Sequence, residues 1–258
     1  MDGKRGARRQ VSDVVAERIE RLIVDGVLYG TSPDLQLFAL DAATGGPVAE
    51  GNVGGGTGMI AHRFKGGIGT SSRRLSRAQG GWTVGAIVQA NHGIRSELRV
   101  DGYPVGRYME QVDSPFLKAA LPHPGMGSIV VILATDAPLL PHQCQRLAQR
   151  ASIGIARTGG GTEDSSGDIF LAFATGNRDL PAADYGRKDL AFTAPLAMLN
   201  NDHISPLFSA AAEAVEEAII NAILAGEDML TDQGVLVPGL EGETLLAALH
   251  KTGWSVSR

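Results

Sequence analysis

Cysteine is nearly absent: Cys144 is the only one in 258 residues. A lone thiol cannot form an internal disulfide, and it rules out CxxC metal and redox sites. That usage suits a reducing compartment, so the expected location is cytoplasmic. Aromatic residues make up only 5% of the chain, which leaves Ala, Val, Ile and Leu to build the core. No apolar run reaches the roughly 18 residues of a membrane-spanning helix. Lys4, Arg5, Arg8 and Arg9 are not followed by the apolar stretch of a signal peptide and read as a solvated basic tail. Positive charge is not in excess, since the net charge is −5. Neither nucleic acid nor a membrane surface is an expected partner.

Several catalytic signatures are missing too. There is no GxSxG elbow and no HExxH. His62, His92, His123, His142, His203 and His250 show no metal-ligand spacing. Each reads as a surface histidine or a hydrogen-bonded core histidine. Gly54-x-Gly56 echoes a dinucleotide loop, but Met59 stands where GxGxxG needs its third glycine. No metal and no organic cofactor is expected.

What the chain does have is glycine, 34 residues of it, and 43% hydrophobic residues, enough for a sizeable core. The spacing of Val11, Val14, Val15, Ile19, Leu22 and Ile23 predicts a helix over 11–24. Residues 45–70 are too glycine-rich for a helix and read as loops around short strands. Residues 82–90 read as a strand, and 97–106 as a hairpin turning at Asp101-Gly102. Residues 128–136 and 168–176 read as buried strands, with one helix over 141–157 between them. The 205–225 stretch is the clearest helix, with Ser205 as N-cap, Pro206 in the first turn and Gly226 after its end. Cys144 reads as a small buried hydrophobe within the 141–157 helix, and Glu213, Glu216 and Glu217 as a solvated helix face. A short helix is expected near 242–251. Periodicity alone supports a mixed α and β fold.

The segment around 121–136 bears the most chemistry. A Pro- and Gly-containing stretch, LPHPGMG, ends at Gly127, and Ser128 opens an apolar strand. If the Gly127–Ser128 bond breaks, Ser128 gains a free α-amine whose unperturbed pKa lies near about 8. That amine can accept the hydroxyl proton, so one residue supplies nucleophile and base. Glycine before the bond offers no side chain to obstruct attack on its carbonyl, and it tolerates strained backbone. Locally, Gly-Ser before a strand is also compatible with an ordinary strand start.

Longer strings narrow the reading. GNVGGGTGMIAHRFKGGIGTSSR (51–73), WTVGAIVQANHG (82–93), the stretch 125–160, SSGDIFLAFATGN (165–177) and the stretch 204–229 resemble the β-peptidyl aminopeptidase and L-aminopeptidase/D-esterase family. They follow the family's order over roughly residues 40–235. The resemblance implies an α+β fold, a four-layer αββα sandwich. It also implies self-cleavage between Gly127 and Ser128, followed by release of N-terminal residues from short peptides, amino amides or amino esters. By residue-for-residue match, Ser128 is the nucleophile, and Ser166 and Asp168 are the serine and acidic positions facing it. Family members can carry Glu where Asp168 stands. The glycines Gly54, Gly55, Gly56 and Gly58 are expected to bring backbone close to the site. Asn91, ending a strand, is a candidate oxyanion donor. Homo-oligomers are usual in such a family. Residues 1–35 lie outside the resemblance, which places the aminopeptidase domain at 36–258. Relatives carry a longer segment ahead of the nucleophile, so the resemblance implies a fold lacking part of that N-terminal region. Two alternatives follow: a related self-processing acyltransferase, or a non-catalytic remnant serving as an assembly subunit.

Overall fold

The computed structural model describes residues 22–24, 27–31, 37–41, 47–109, 127–178, 180, 191–232 and 234–255, with side chains from residue 47 onward. Three strands, β1 (Leu22–Val24), β2 (Val27–Thr31) and β3 (Leu37–Asp41), form an antiparallel sheet. The helix expected over 11–24 is therefore wrong at its end, where Leu22 and Ile23 pair with Tyr29 and Leu28. Two β-branched residues among the three favour that extended path. The remainder of that expected helix lies outside the described residues.

A two-residue hairpin follows, β4 (Ile60–Ala61) and β5 (Phe64–Lys65). Then come β6 (Gly67–Arg74), β7 (Thr83–Asn91), β8 (Ser128–Thr135) and β9 (Ile169–Ala174). They make one sheet in the order β6-β7-β8-β9, with only the β8–β9 pair parallel. Parallel neighbours need a crossover. It is supplied by α1 (Pro141–Ala148) and α2 (Ala151–Thr158), so the expected single helix over 141–157 is two. The Asp101-Gly102 turn is present, with φ of 50° and 77°, but only the Val100–Tyr103 bridge flanks it. A 3-10 turn at Val105–Tyr108 replaces the rest of that hairpin.

Helix α3 (Ser205–Leu224) buries Leu207, Ala211, Val215, Ala218 and Ile219 with Ala86, Val88, Ala90, Ile129, Val131 and Leu133 of the sheet. Ser205 does not cap it. The helical path starts earlier, through a 3-10 turn whose Asn200 side chain accepts from Asp202 N. The small residues of α3 let helix and sheet approach closely. A methyl at Gly69 of β6 would lie 2.0 Å from the Ala218 carbonyl oxygen. Gly69→Ala is accordingly expected to lower stability by about 1–3 kcal/mol through overpacking, read from urea unfolding midpoints. The glutamates on α3 are not merely solvated. Glu217 accepts from Ser71 Oγ at 2.6 Å and pairs with Arg73, while Arg157 pairs with Glu216 at 3.2 Å. Cys144 is buried in α1, and burial pushes its thiol pKa up.

The second face of the four-stranded sheet carries Ile87, Ile132 and Ala134, with Val48, Ile68 and Phe173 against them. Strand β3 lies against β7. The result is an α+β sandwich of helices, a four-stranded sheet and a second, smaller sheet. β9 is not the buried strand expected from its apolar run: Ile169 is 60% exposed and Leu171 47%. Only alternate residues, Phe170, Ala172 and Ala174, reach the helix-covered core. After α3 come β10 (Met229–Leu230), β11 (Leu236–Val237) and α4 (Gly242–Lys251), the last as expected. No helix among the described residues is long and apolar enough to cross a membrane.

Candidate active site

Strand periodicity puts Ser128 and Asn91 on one face. Even-numbered positions of β7 and odd-numbered positions of β8 turn to the helices, so Asn91 and Ser128 turn the other way. The two residues are also direct cross-strand partners. The Asn91 Oδ1 accepts from Ile60 N at 2.9 Å. That bond sets which end of the amide faces the hairpin and leaves Nδ2 as its donor end.

Ser128 Oγ donates to the Gly127 carbonyl oxygen at 2.8 Å and accepts from Gly167 N at 3.1 Å. The hydroxyl is thus held against the carbonyl of the preceding peptide bond. Gly127 does not use a left-handed conformation. Its need for glycine is one of space: a methyl there would stand 2.7 Å from the Asn91 carbonyl oxygen and 2.9 Å from His92 Cα.

The Ser166-Gly167-Asp168 segment wraps the start of β8. Ser166 Oγ donates to Asp168 Oδ1 at 2.5 Å, and Ile129 N donates to the same oxygen at 3.3 Å. The parallel pairing that begins at Val130 and Ile169 places this segment beside Ser128. All five residues singled out in the sequence, Asn91, Gly127, Ser128, Ser166 and Asp168, therefore gather at one end of the β7-β8-β9 sheet. The contact of Ser166 is with Asp168 rather than with Ser128. The Gly167 amide is a member of the group that residue-type reasoning misses, because a backbone donor leaves no trace in side-chain chemistry.

The glycine-rich loop approaches the site through the backbone that leaves it, at Ile60. Gly56 packs against Gly51 and Gly67, and a methyl at Gly55 would meet the Gln89 side chain. Only Ile60, at the end of that loop, bonds to a side chain of the group.

His62 and His92 depart most from expectation. Both are buried and stand edge to face, ring centroids 5.3 Å apart. His62 Nδ1 meets the Ile94 carbonyl at 3.1 Å, so Nδ1 carries the proton. His62 Nε2 and both ring nitrogens of His92 are buried without a partner. Burial and the neighbouring His92 push the pKa of His62 down to about 3, against the smaller raising effects of Ile94 and Glu163. Burial pushes His92 down to about 4. Both rings stay neutral where the unfolded chain, with histidine pKa near about 6.5, takes up protons. Between that value and about 4 the unfolded state binds more protons, so stability falls as pH falls. Each ring is expected to contribute a loss of up to roughly 1.4 kcal/mol per pH unit in that window. Urea midpoints at pH 7, 6 and 5 test this, and a midpoint independent of pH would contradict it.

The sandwich superposes on solved aminopeptidases, one of which is described as a variant of the N-terminal-nucleophile hydrolase fold. A beta-aminopeptidase of Burkholderia sp. superposes with a TM-score of 0.75 at 63% identity, over 83% of this chain and 58% of that one. An L-aminopeptidase D-Ala-esterase/amidase of Ochrobactrum anthropi gives 0.70 at 43%, over 83% and 57%. Among curated proteins, beta-peptidyl aminopeptidase BapA of Sphingosinicella microcystinivorans is 41% identical over 246 residues, 92% of this chain and 61% of its own length. Residues 2–237 match peptidase family S58, and the chain belongs to that family. It spans about three fifths of the length of the relatives it matches.

Proposed function

We propose that this chain is a self-processing aminopeptidase whose nucleophile is Ser128. The observation that carries the reading is Ser128 Oγ, held between the Gly127 carbonyl and the Gly167 amide at the first position of β8. In the uncleaved chain, Oγ attacks the Gly127 carbonyl carbon and its proton passes to the departing nitrogen. The Gly127–Ser128 C–N bond breaks, and an ester joins the Gly127 carbonyl to Oγ. Water hydrolyses that ester, leaving a carboxylate on Gly127 and a free α-amine on Ser128. The amine then serves as base for the same hydroxyl.

In turnover, Oγ attacks the carbonyl of a substrate's N-terminal residue. The amine product leaves and water releases the acyl group. The Asn91 amide donates to the developing oxyanion in both reactions. Asp168, steadied by Ser166, holds positive charge, on the Ser128 amine or on the substrate's own. Short peptides, amino amides and amino esters are the substrate class. The names of the relatives, beta-peptidyl aminopeptidase and L-aminopeptidase D-Ala-esterase/amidase, support that choice.

The direct test offers purified protein short peptides with free and with N-acetylated N-termini. Amino acid release from the free form alone is the expected result. Equal hydrolysis of both would count against the reading. Asp168→Asn keeps the acceptor for Ile129 N but removes the charge. It is expected to raise KM about tenfold, the size of one charge-assisted hydrogen bond, in initial-rate measurements.

A further inference from the structure

The β4–β5 hairpin holds the chain that carries Asn91 at almost every residue. Ile60 N donates to Asn91 Oδ1 at 2.9 Å, and His62 N donates to the His92 carbonyl at 2.8 Å. His62 Nδ1 donates to the Ile94 carbonyl at 3.1 Å, and the Arg95 guanidinium donates to the Arg63 carbonyl at 2.6 Å. Between them sits Gly93, where a methyl would lie 2.4 Å from the His62 ring. The four residues 60–63 thus grip 91–95 with four hydrogen bonds and one close contact.

This grip is held at visible cost. His62 and Arg63 are the two turn residues of the hairpin, with φ of 49° and 65°. Such a turn ordinarily takes Asn-Gly, and left-handed backbone is strained for other residues. The His62 ring is fully buried, with Nε2 unpartnered beside a His92 ring that has no partner on either nitrogen. A buried polar atom left unpaired loses its hydration without a hydrogen bond in return. Turn strain and unpaired ring nitrogens converge on the hairpin that orients the Asn91 amide. Strain persists where the surrounding structure over-determines it, and it collects at functional sites.

We infer that His62 is a positioning residue, which fixes the Asn91 amide by locking the hairpin tip onto the 92–95 backbone and touches no substrate itself. Its main chain holds His92, its Nδ1–H holds Ile94, and its ring fills the space that Gly93 leaves. Ile60, two residues earlier on the same hairpin, then presents its N–H to Asn91 Oδ1 at a fixed place. Loosening the tip lets the Asn91 amide rotate, so the donor is lost from the developing oxyanion while ground-state binding is kept.

The test compares His62→Asn with His62→Leu. Asparagine tolerates left-handed backbone and offers an N–H where Nδ1 stands. Leucine fills space without a donor. Hydrogen exchange at the Ile60 amide is measured in the full-length protein, with Val131 in β8 as the reference. His62→Leu is expected to speed exchange at Ile60 at least about tenfold relative to Val131, and His62→Asn to stay within about threefold of the parent. If Ile60 and Val131 accelerate together, or if the two variants behave alike, His62 has a structural role only and the inference is overturned. The kinetic consequence rests on the aminopeptidase reading. There, His62→Leu slows cleavage at Gly127–Ser128 and lowers kcat about tenfold or more with little change in KM, while His62→Asn recovers both. A parent protein that neither cleaves nor hydrolyses peptides would defeat that reading and leave the exchange measurement to decide the inference.

Discussion

Ser128→Ala is expected to give one uncleaved chain with no aminopeptidase activity. In the proposed mechanism the alanine variant lacks the atom that attacks Gly127, and without cleavage it never acquires the α-amine base. Both functions of the residue vanish together, so the loss should reach the detection limit rather than a fixed ratio. The fold should survive. Oγ makes two hydrogen bonds, to Gly127 O and from Gly167 N, and Ser128 is only partly buried. Losing such bonds at a solvent-reached site costs about 1 kcal/mol. Urea midpoints near that of the parent, alongside complete loss of cleavage, are the predicted pair of results. A variant that still cleaves would remove Ser128 from the mechanism.

Asn91→Ala is expected to slow both self-cleavage and turnover by about 10²–10³, the usual size of a lost oxyanion donor. Alanine also strips Ile60 N of its acceptor, which confuses activity with stability. Asn91→Asp separates them. The aspartate still accepts from Ile60 N, so the urea midpoint should hold. In the proposed mechanism its negative charge, however, would face the developing oxyanion, and kcat should fall at least as far as with alanine. Single-turnover rates together with unfolding midpoints on both variants provide the check. An aspartate variant with near-parental kcat would mean that the Asn91 amide serves the fold alone.

The readable parts of the chain were those where one periodicity dominates. β7 and β8 stand within a residue of their expected bounds, because their apolar β-branched runs are flanked by glycine or polar residues. α3 and α4 also follow their sequence patterns. Other features depend on contacts that local pattern does not carry. Ala151 begins a new helix after Gln149 and Arg150, a break that no Pro or Gly announces. β9 looks buried from composition, yet one of its faces is largely open, because an apolar run does not say whether a second layer covers it. Leu22 and Ile23 fit a helical stripe but belong to a strand, since three residues cannot distinguish the two periods.

The candidate site divides in the same way. Three of its side chains, Ser128, Ser166 and Asp168, were singled out through long family-like strings rather than through spacing, and Asn91 through its place at the end of a strand. The parts made by backbone were not: the Gly167 amide, the Ile60 amide, and the space around Gly127. His62 and His92 read as surface histidines or hydrogen-bonded core histidines. Their unpaired nitrogens become visible only when the hairpin and the 92–95 segment are brought together in three dimensions.

The most direct test of the account is the intact mass of freshly purified protein under denaturing conditions. Two fragments are predicted, residues 1–127 and residues 128–258, with the second beginning at Ser128 by N-terminal sequencing. A folded protein that remains one chain of 258 residues would contradict self-processing at Gly127–Ser128 and, with it, the assignment of Ser128 as an N-terminal nucleophile.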